Sequence, residues 1–430
     1  MAINLTCRFP GAKIEPFMRA RFGLPLLLGA LSFVAYLPAF NNGFISDDYV
    51  ILQRVEILKN HPFYLFEIPP EGFRTSSYIA FALLKMLFGY RPEFFYLFAI
   101  LLHWANACLL FRLLSSVTLK PSAAALTAVL FAVFQNPQEA TMWLTGMHES
   151  LLGISVLTAL ILWRKGRYFL STLLYLLALL TKESAVLLLA LVPLVDFWAE
   201  KELRFRRQYL YLLVPTAVFA VLFLSTFHSN SFVGNGLYGL GPRALIVLAL
   251  SLHRLSFPWL YLAVVLVLFS RKKRLDINFT AALTWMVLTL MPYMFLLYLN
   301  HVPSRQVHLA SMGLTAGLAF LLKDLDVPAL RKVFLVCFIA WNTGYLWMVK
   351  DGQYERRAAP SSRLIEELKR RPPGPLIVEG YPENPWIAKE TTWLVPGWRP
   401  EMIKADPADS APPNSPRLRW DPETATYQAL

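Results

Sequence analysis

Two adjacent carboxylates, Asp47 and Asp48, close the stretch Asn41-Asn42-Gly43-Phe44-Ile45-Ser46-Asp47-Asp48-Tyr49, directly after an apolar run from Leu24 to Phe40. Carboxylates beside a run of membrane-spanning length are costly to keep there unless water, a cation or a substrate receives them. In such a place a carboxylate can accept the proton of an attacking hydroxyl, which is what sugar transfer with inversion requires. Asp47 is the choice for that base, and Asp48 either orients it or binds a divalent cation. A structural reading competes. Ser46 or Asp47 can cap the amphipathic helix that follows, whose N-terminus favours negative charge. The two readings are compatible, and sequence alone leaves both open.

Arg74, Lys182 and Arg305 are the cations suited to holding the donor's phosphate. A lipid-phosphate leaving group is already a weak base, so its departure needs stabilising cations. Arginine offers a bidentate fork and lysine a point charge. Each can instead meet lipid headgroups at the interface, and Lys182 can pair with Glu183 or another loop carboxylate. Glu139, His148, Glu149, Glu183 and His308 are candidates to bind substrate. Glu139 and Glu149 can equally accept bonds from N–H groups at helix starts. His148, His301 and His308 lack the helical spacing of metal ligands, so no zinc site is expected. Beyond a divalent cation at Asp48 no cofactor is expected, since the chain has neither a P-loop nor a dinucleotide fingerprint.

Residues this far apart meet only on a frame, and the composition says what kind. Of 430 residues, 56% are hydrophobic and 16% charged, too apolar for an ordinary soluble protein. The apolar residues come in long blocks. They predict an all-α polytopic membrane protein of about eleven transmembrane helices. After Leu24–Phe40 the spans are placed at Phe94–Leu114, Ser122–Phe134, Trp143–Trp163, Tyr168–Leu180, Ala185–Trp198, Tyr209–Phe227, Trp259–Ser270, Phe279–Leu299, Leu309–Leu322 and Val333–Val349. Residues 50–60 and 76–88 read as outer interfacial helices, and residues 244–258 as an outer amphipathic or re-entrant one.

The formal charge of +13 sits largely between these spans. Arg8, Lys13, Arg19 and Arg21 precede the first. Lys120, Arg164-Lys165 with Arg167, Lys201 to Arg207, Arg271-Lys272-Lys273-Arg274 and Lys323 to Lys332 all fall on one side. Positive loops mark the cytoplasmic face, so the N-terminus is expected inside and the C-terminus outside. The charge thus sets orientation, and nucleic-acid binding is not expected. The first run lacks a small-residue cleavage site and reads as a retained anchor. Cys7, Cys108 and Cys337 imply no disulfide framework. Residues 1–350 are expected to form the catalytic membrane domain, and residues 351–403 a small extracytoplasmic α/β piece. Residues 404–430 read as a disordered, Pro-rich tail. On this topology every candidate above lies on the outer side.

At these residues the chain resembles the C-type (GT-C) glycosyltransferases, the group of protein O-mannosyltransferases and aminoarabinose transferases, and in particular their bacterial and TMTC-like branch. Gly43-Phe44-Ile45-Ser46-Asp47-Asp48-Tyr49 is similar to that group's first outer loop, and Phe73-Arg74-Thr75-Ser76-Ser77-Tyr78 to its arginine segment. Asn136-Pro137-Gln138-Glu139-Ala140 with Trp143, Gly146 and Glu149-Ser150-Leu151-Leu152 resembles the next. Leu180-Thr181-Lys182-Glu183-Ser184 and the run from Ser304 to Gly313 complete the series, over about the first three quarters of the chain. Arg74-Thr75 departs from the group's Arg-Pro, Gln306-Val307-His308 from its tyrosine-rich segment, and no TPR repeats follow. The resemblance implies a polyprenyl-phosphate sugar donor, catalysis on the outer face of a bacterial inner membrane, inversion, and Asp47 as the catalytic aspartate. The acceptor is then a protein, a lipid or an envelope glycan. The alternatives are a polysaccharide ligase or polymerase on the same fold, or a lipid or sugar transporter. A transporter predicts midplane charges and two related halves, whereas the charges here gather at one face.

Overall fold

Lipid offers no hydrogen-bond partner to a backbone, so the long apolar stretches satisfy theirs internally as helices. The structure, a computed structural model, describes residues 15–66, 74–118, 120–202, 204–225, 236–239, 241–268, 276–297, 300–323, 325–405, 412 and 414–430. Arg8, Lys13, Phe73 and the cluster Arg271-Lys272-Lys273-Arg274 lie outside the described residues. Among the described residues six helices are long and apolar enough to cross a membrane: Gly23–Asn41, Pro92–Thr118, Leu144–Arg164, Arg207–Ser225, Ile277–Phe295 and Pro328–Lys369. Pro242–Ser256 and Trp259–Leu268 pass the same test together, bent by 70° at the break between them. The first of the two covers the helix expected at residues 244–258. Shorter helices at Pro121–Val133, Tyr168–Thr181, Leu188–Glu200 and His308–Lys323 occupy the remaining expected spans. The chain is an all-α polytopic membrane protein carrying a small C-terminal sheet.

His308–Lys323 is the centre of the bundle. Every residue from His308 to Leu322 is buried, as a helix apolar on all sides must be. It packs on Ile277–Leu290 with almost no gap, because a side chain at Gly313 would come within 2.7 Å of the Ala282 carbonyl and the Met286 amide. Small residues permit such close backbone approach between membrane helices. At one end of the bundle Lys120 bonds Asp276 at 2.5 Å and Lys201 bonds Asn278 at 3.0 Å. Arg164 there spans Asp196 and Glu200 at 2.8 and 3.0 Å, and Arg206 pairs with Glu200 as well. These are residues of the loops grouped on the cytoplasmic side by charge.

Asp48–Asn60 and Thr75–Phe88 form the two expected short helices at the other end and pack on each other. The last span does not stop where expected. Pro328–Lys369 runs unbroken for 42 residues, about twice a bilayer crossing, through Gly352 and Pro360. A single π turn at Leu346–Lys350 takes up its irregularity. The continuous helix carries the appended piece, a sheet in the order β2-β1-β3-β4. These strands are β1 (Leu376–Glu379), β2 (Ile403–Lys404), β3 (Arg417–Asp421) and β4 (Thr426–Ala429). Parallel pairing joins β1 to both β2 and β3, and β3 and β4 form an antiparallel hairpin. The expectation of a disordered 404–430 is therefore corrected for residues 414–430. Leu418 and Trp420 alternate inward from β3 onto the sheet's core, and that burial orders the hairpin.

Candidate functional site

The loop before Asp48–Asn60 divides the two carboxylates by backbone conformation. Ser46 has φ 46°, a left-handed conformation that costs energy for a residue with a side chain. The chain turns there. Asp47 becomes the N-cap and Asp48 the first helical residue. Asp48 is fully buried. Its Oδ2 accepts the Ile45 amide at 2.8 Å, and its Oδ1 accepts both the amide and the hydroxyl of Thr145 at 2.6 Å. Burial pushes this carboxyl up, to about 7, against the pull of those hydrogen bonds. Asp47 makes no capping bond and is exposed. Of the readings left open above, the cap at Asp47 is thus not what forms. Asp48 is the tether, and its oxygens are occupied by donors that a cation would have to displace.

Thr145 ties this loop to the turn between Glu139–Met142 and Met147–Arg164. Gly146 makes the turn possible, since a Cβ there would lie 2.1 Å from the Glu139 carbonyl. Gly146→Ala must therefore shift the Thr145–Asp48 clamp. The expected cost is about 1–3 kcal/mol, read as a lower thermal midpoint of the detergent-solubilised protein. An unchanged midpoint would mean the turn yields without cost.

Beyond the turn lies a buried polar group. His148 Nδ1 meets the Thr145 carbonyl at 2.5 Å, and its Nε2 faces Glu149 at 3.6 Å. Glu149 pairs with Lys182, both almost wholly buried. Lys182 also lies over the ring of Tyr293 at 4.8 Å, and the Tyr293 hydroxyl bonds Ser184 at 2.9 Å. Burial pulls the Lys182 ammonium below the ordinary lysine range, with Glu149 opposing. Arg74 bonds Glu183 at 3.0 Å. Burial alone would raise the Glu183 carboxyl, but Arg74 and Lys182 hold it below its ordinary value. Arg74, His148, Glu149, Lys182 and Glu183 thus form one connected set. An apolar groove of about 660 Å³ begins at Glu183 and Ser184 and runs along Leu187, Phe219, Phe223, Leu288 and Phe295.

Arg305 does not join that set. Its Nη1 and its amide approach Glu139 at 3.4 and 3.1 Å, and its guanidinium lies over the ring of Trp143 at 4.7 Å. The Trp143 indole N–H donates to the Ile45 carbonyl at 3.2 Å, beside the aspartates. His308 stands apart too. It is wholly buried, with its ring against His103 and Phe131. Among the described residues no group of three or more His, Cys, Asp or Glu is arranged to hold a metal ion.

No protein-family model matches the chain. No curated protein matches it either. Among solved structures it is similar to the oligosaccharyltransferase AglB from Archaeoglobus fulgidus in complex with an inhibitory peptide and a dolichol-phosphate. Identity there is 12% and the TM-score 0.47, over 92% of this chain and 65% of that one. An Archaeoglobus fulgidus oligosaccharyltransferase tethered with an acceptor peptide gives 12%, 0.45, 89% and 63%. The arabinofuranosyltransferase AftD from Mycobacteria gives 15%, 0.48, 84% and 30%. The chain spans less than two thirds of the length of each. Scores this low carry no functional argument, and the side chains must carry it.

Beyond Thr145, Ser184 and Tyr293, three further residues at the site were not among the sequence candidates. Arg357, from the long C-terminal helix, lies over the ring of Trp143 at 4.6 Å and over that of Tyr354 at 5.6 Å. Trp143 itself holds both guanidiniums. Glu383, from the appended piece, bonds Ser46 and lies near Asp47, and burial pushes its carboxyl up. Arg357 follows Arg356 on a polar helix with no spacing that marks one of them out. Only the docking of that helix on the aspartate loop, where Gly43 lies against Ser362 and Ala358, singles out Arg357.

Proposed function

We propose that the chain is a C-type membrane glycosyltransferase that moves a sugar, with inversion, from a polyprenyl phosphate to an acceptor outside the cytoplasm. The observation that carries this reading is the apolar groove lined by Glu183 and Ser184, where Glu183 pairs with Arg74 and the neighbouring Lys182 pairs with Glu149. An apolar groove along membrane helices, with a cation paired to the carboxylate that lines it, suits a long isoprenoid tail and an anionic headgroup. Residues 1–350 would be the catalytic membrane part of an inner-membrane protein, with the N-terminus cytoplasmic and the appended piece outside.

In the reaction, an acceptor hydroxyl gives its proton to Asp47 while its oxygen bonds to the sugar's anomeric carbon. The bond from that carbon to the phosphate oxygen breaks on the opposite face, and the phosphate leaves with the electron pair. Arg74 and Lys182 face the charge that develops on it. Asp48 holds the loop, and Glu139, His148, Glu149 and Glu183 keep the cations placed. The acceptor is a protein, a lipid or a glycan. The test is transfer in membranes from a panel of labelled polyprenyl-phosphate sugars. At least one donor should give a labelled product that depends on this protein. Absence of any such product across hexose and pentose donors would remove the reading.

A further inference from the structure

Arg305 and Arg357 both lie against Trp143, and Arg254 and Lys350 are near enough to exchange charge effects with this group; Arg254 bonds His301 and the Val302 carbonyl, and Lys350 bonds Gln353. Arg305 alone has a carboxylate partner, Glu139. Among the described residues no carboxylate stands within ion-pair distance of Arg254, Lys350 or Arg357. Arg254 and Arg357 repel Lys350 and Glu139 attracts it, so these groups feel one another. Glu383 acts on Arg357 only from a greater distance. The Arg74–Lys182 set differs in kind, because each of its cations has its own carboxylate.

Like charges gathered with so little compensation are an electrostatic cost that a bound anion would relieve. The geometry suits one. The Arg305 and Arg357 guanidiniums both lie against the Trp143 ring, at 4.7 and 4.6 Å. Stacking holds each guanidinium by its face; it leaves the N–H edge of Arg357 for an oxyanion, and that of Arg305 in part, since its Nη1 is on Glu139. A phosphate, with up to two charges and three terminal oxygens, matches these cations better than a singly charged carboxylate.

We propose that Arg305, Lys350 and Arg357 form a second anion site, which binds a phosphate group carried by the acceptor. It is separate from the donor's place at the head of the groove, and it rests on the glycosyltransferase reading. Trp143 bonds the Ile45 carbonyl, so an acceptor anchored here has its hydroxyl delivered beside Asp47. The unbroken run of the long C-terminal helix then serves the site directly, because it carries Lys350 and Arg357 over it.

The full chain in phosphatidylcholine nanodiscs, titrated calorimetrically with inorganic pyrophosphate and separately with undecaprenyl phosphate, tests this. Wild type should bind both. Arg357→Gln should weaken pyrophosphate by about tenfold or more and leave undecaprenyl phosphate within about twofold. Arg357→Gln should keep the wild-type thermal midpoint, which separates lost charge from lost fold. Arg74→Gln should weaken the lipid phosphate instead. No pyrophosphate binding by wild type, or equal binding by Arg357→Gln, would overturn the site. Loss of undecaprenyl phosphate alone in Arg357→Gln would give this group to the donor and overturn the acceptor assignment. If wild type ignores undecaprenyl phosphate but binds pyrophosphate through Arg357, the second site stands and the donor reading fails.

Discussion

Membranes carrying Asp47→Asn should transfer sugar about 10²–10⁴-fold more slowly than wild type, the range that a positioned general base contributes. The protein itself should remain folded, with an unchanged thermal midpoint. Asp47 is exposed and makes no capping bond, so asparagine removes no structural contact there. Asp48→Asn should behave in the opposite sense. An amide has one acceptor oxygen where the carboxylate has two, and its NH₂ would face the donors at Ile45 and Thr145. Leaving such buried donors unmet costs about 1–3 kcal/mol, seen as a lower midpoint, with activity falling as the loop loosens. Transfer by Asp47→Asn at the wild-type rate would take the base role from Asp47. Equal stability of Asp48→Asn would show that the tether is dispensable.

The frame was legible because lipid enforces a simple code. Apolar blocks of sufficient length become helices, and the short stretches at residues 50–60 and 76–88 became two short helices that pack on each other. The candidate residues were legible one by one, but their pairing was not. Lys182 and Glu183 are neighbours in sequence and so were natural partners. In the structure Lys182 is extended, with φ −164° and ψ 142°, and successive extended side chains point to opposite sides. Lys182 therefore turns to Glu149, and Glu183 to Arg74. A backbone angle decided the matter. The same holds at Asp47 and Asp48, where the left-handed Ser46 sends one carboxylate inward and leaves the other in water.

Two further misreadings came from trusting local composition. The last span was expected to end at Val349. Helix termination needs an alternative place for the chain to go, and here the growing helix buries Tyr354, Ala358, Leu364 and Leu368 by continuing. The tail's prolines hid a strand whose inward alternation rests on only Leu418 and Trp420. His308 carried a polar label yet sits in the one helix that is buried on every side.

Lys182→Met should be the most destabilising single change at the site, by about 3–5 kcal/mol, the usual cost of leaving a buried charge unpaired. The Lys182 and Glu149 side chains are 2% and 1% exposed, so no water compensates Glu149 once the ammonium is gone. Thermal or denaturant unfolding in detergent would show it as a large drop. Replacing both partners, Lys182→Met with Glu149→Leu, removes the charge problem and keeps much of the volume. It should recover most of that stability, because well-packed apolar residues often equal a buried ion pair. Transfer should stay absent in the double variant. The cation facing the leaving phosphate would still be missing at the head of the groove, and folding does not supply one. Restored stability with restored transfer would make Lys182 a packing residue only, and the phosphate would then have to depend on Arg74.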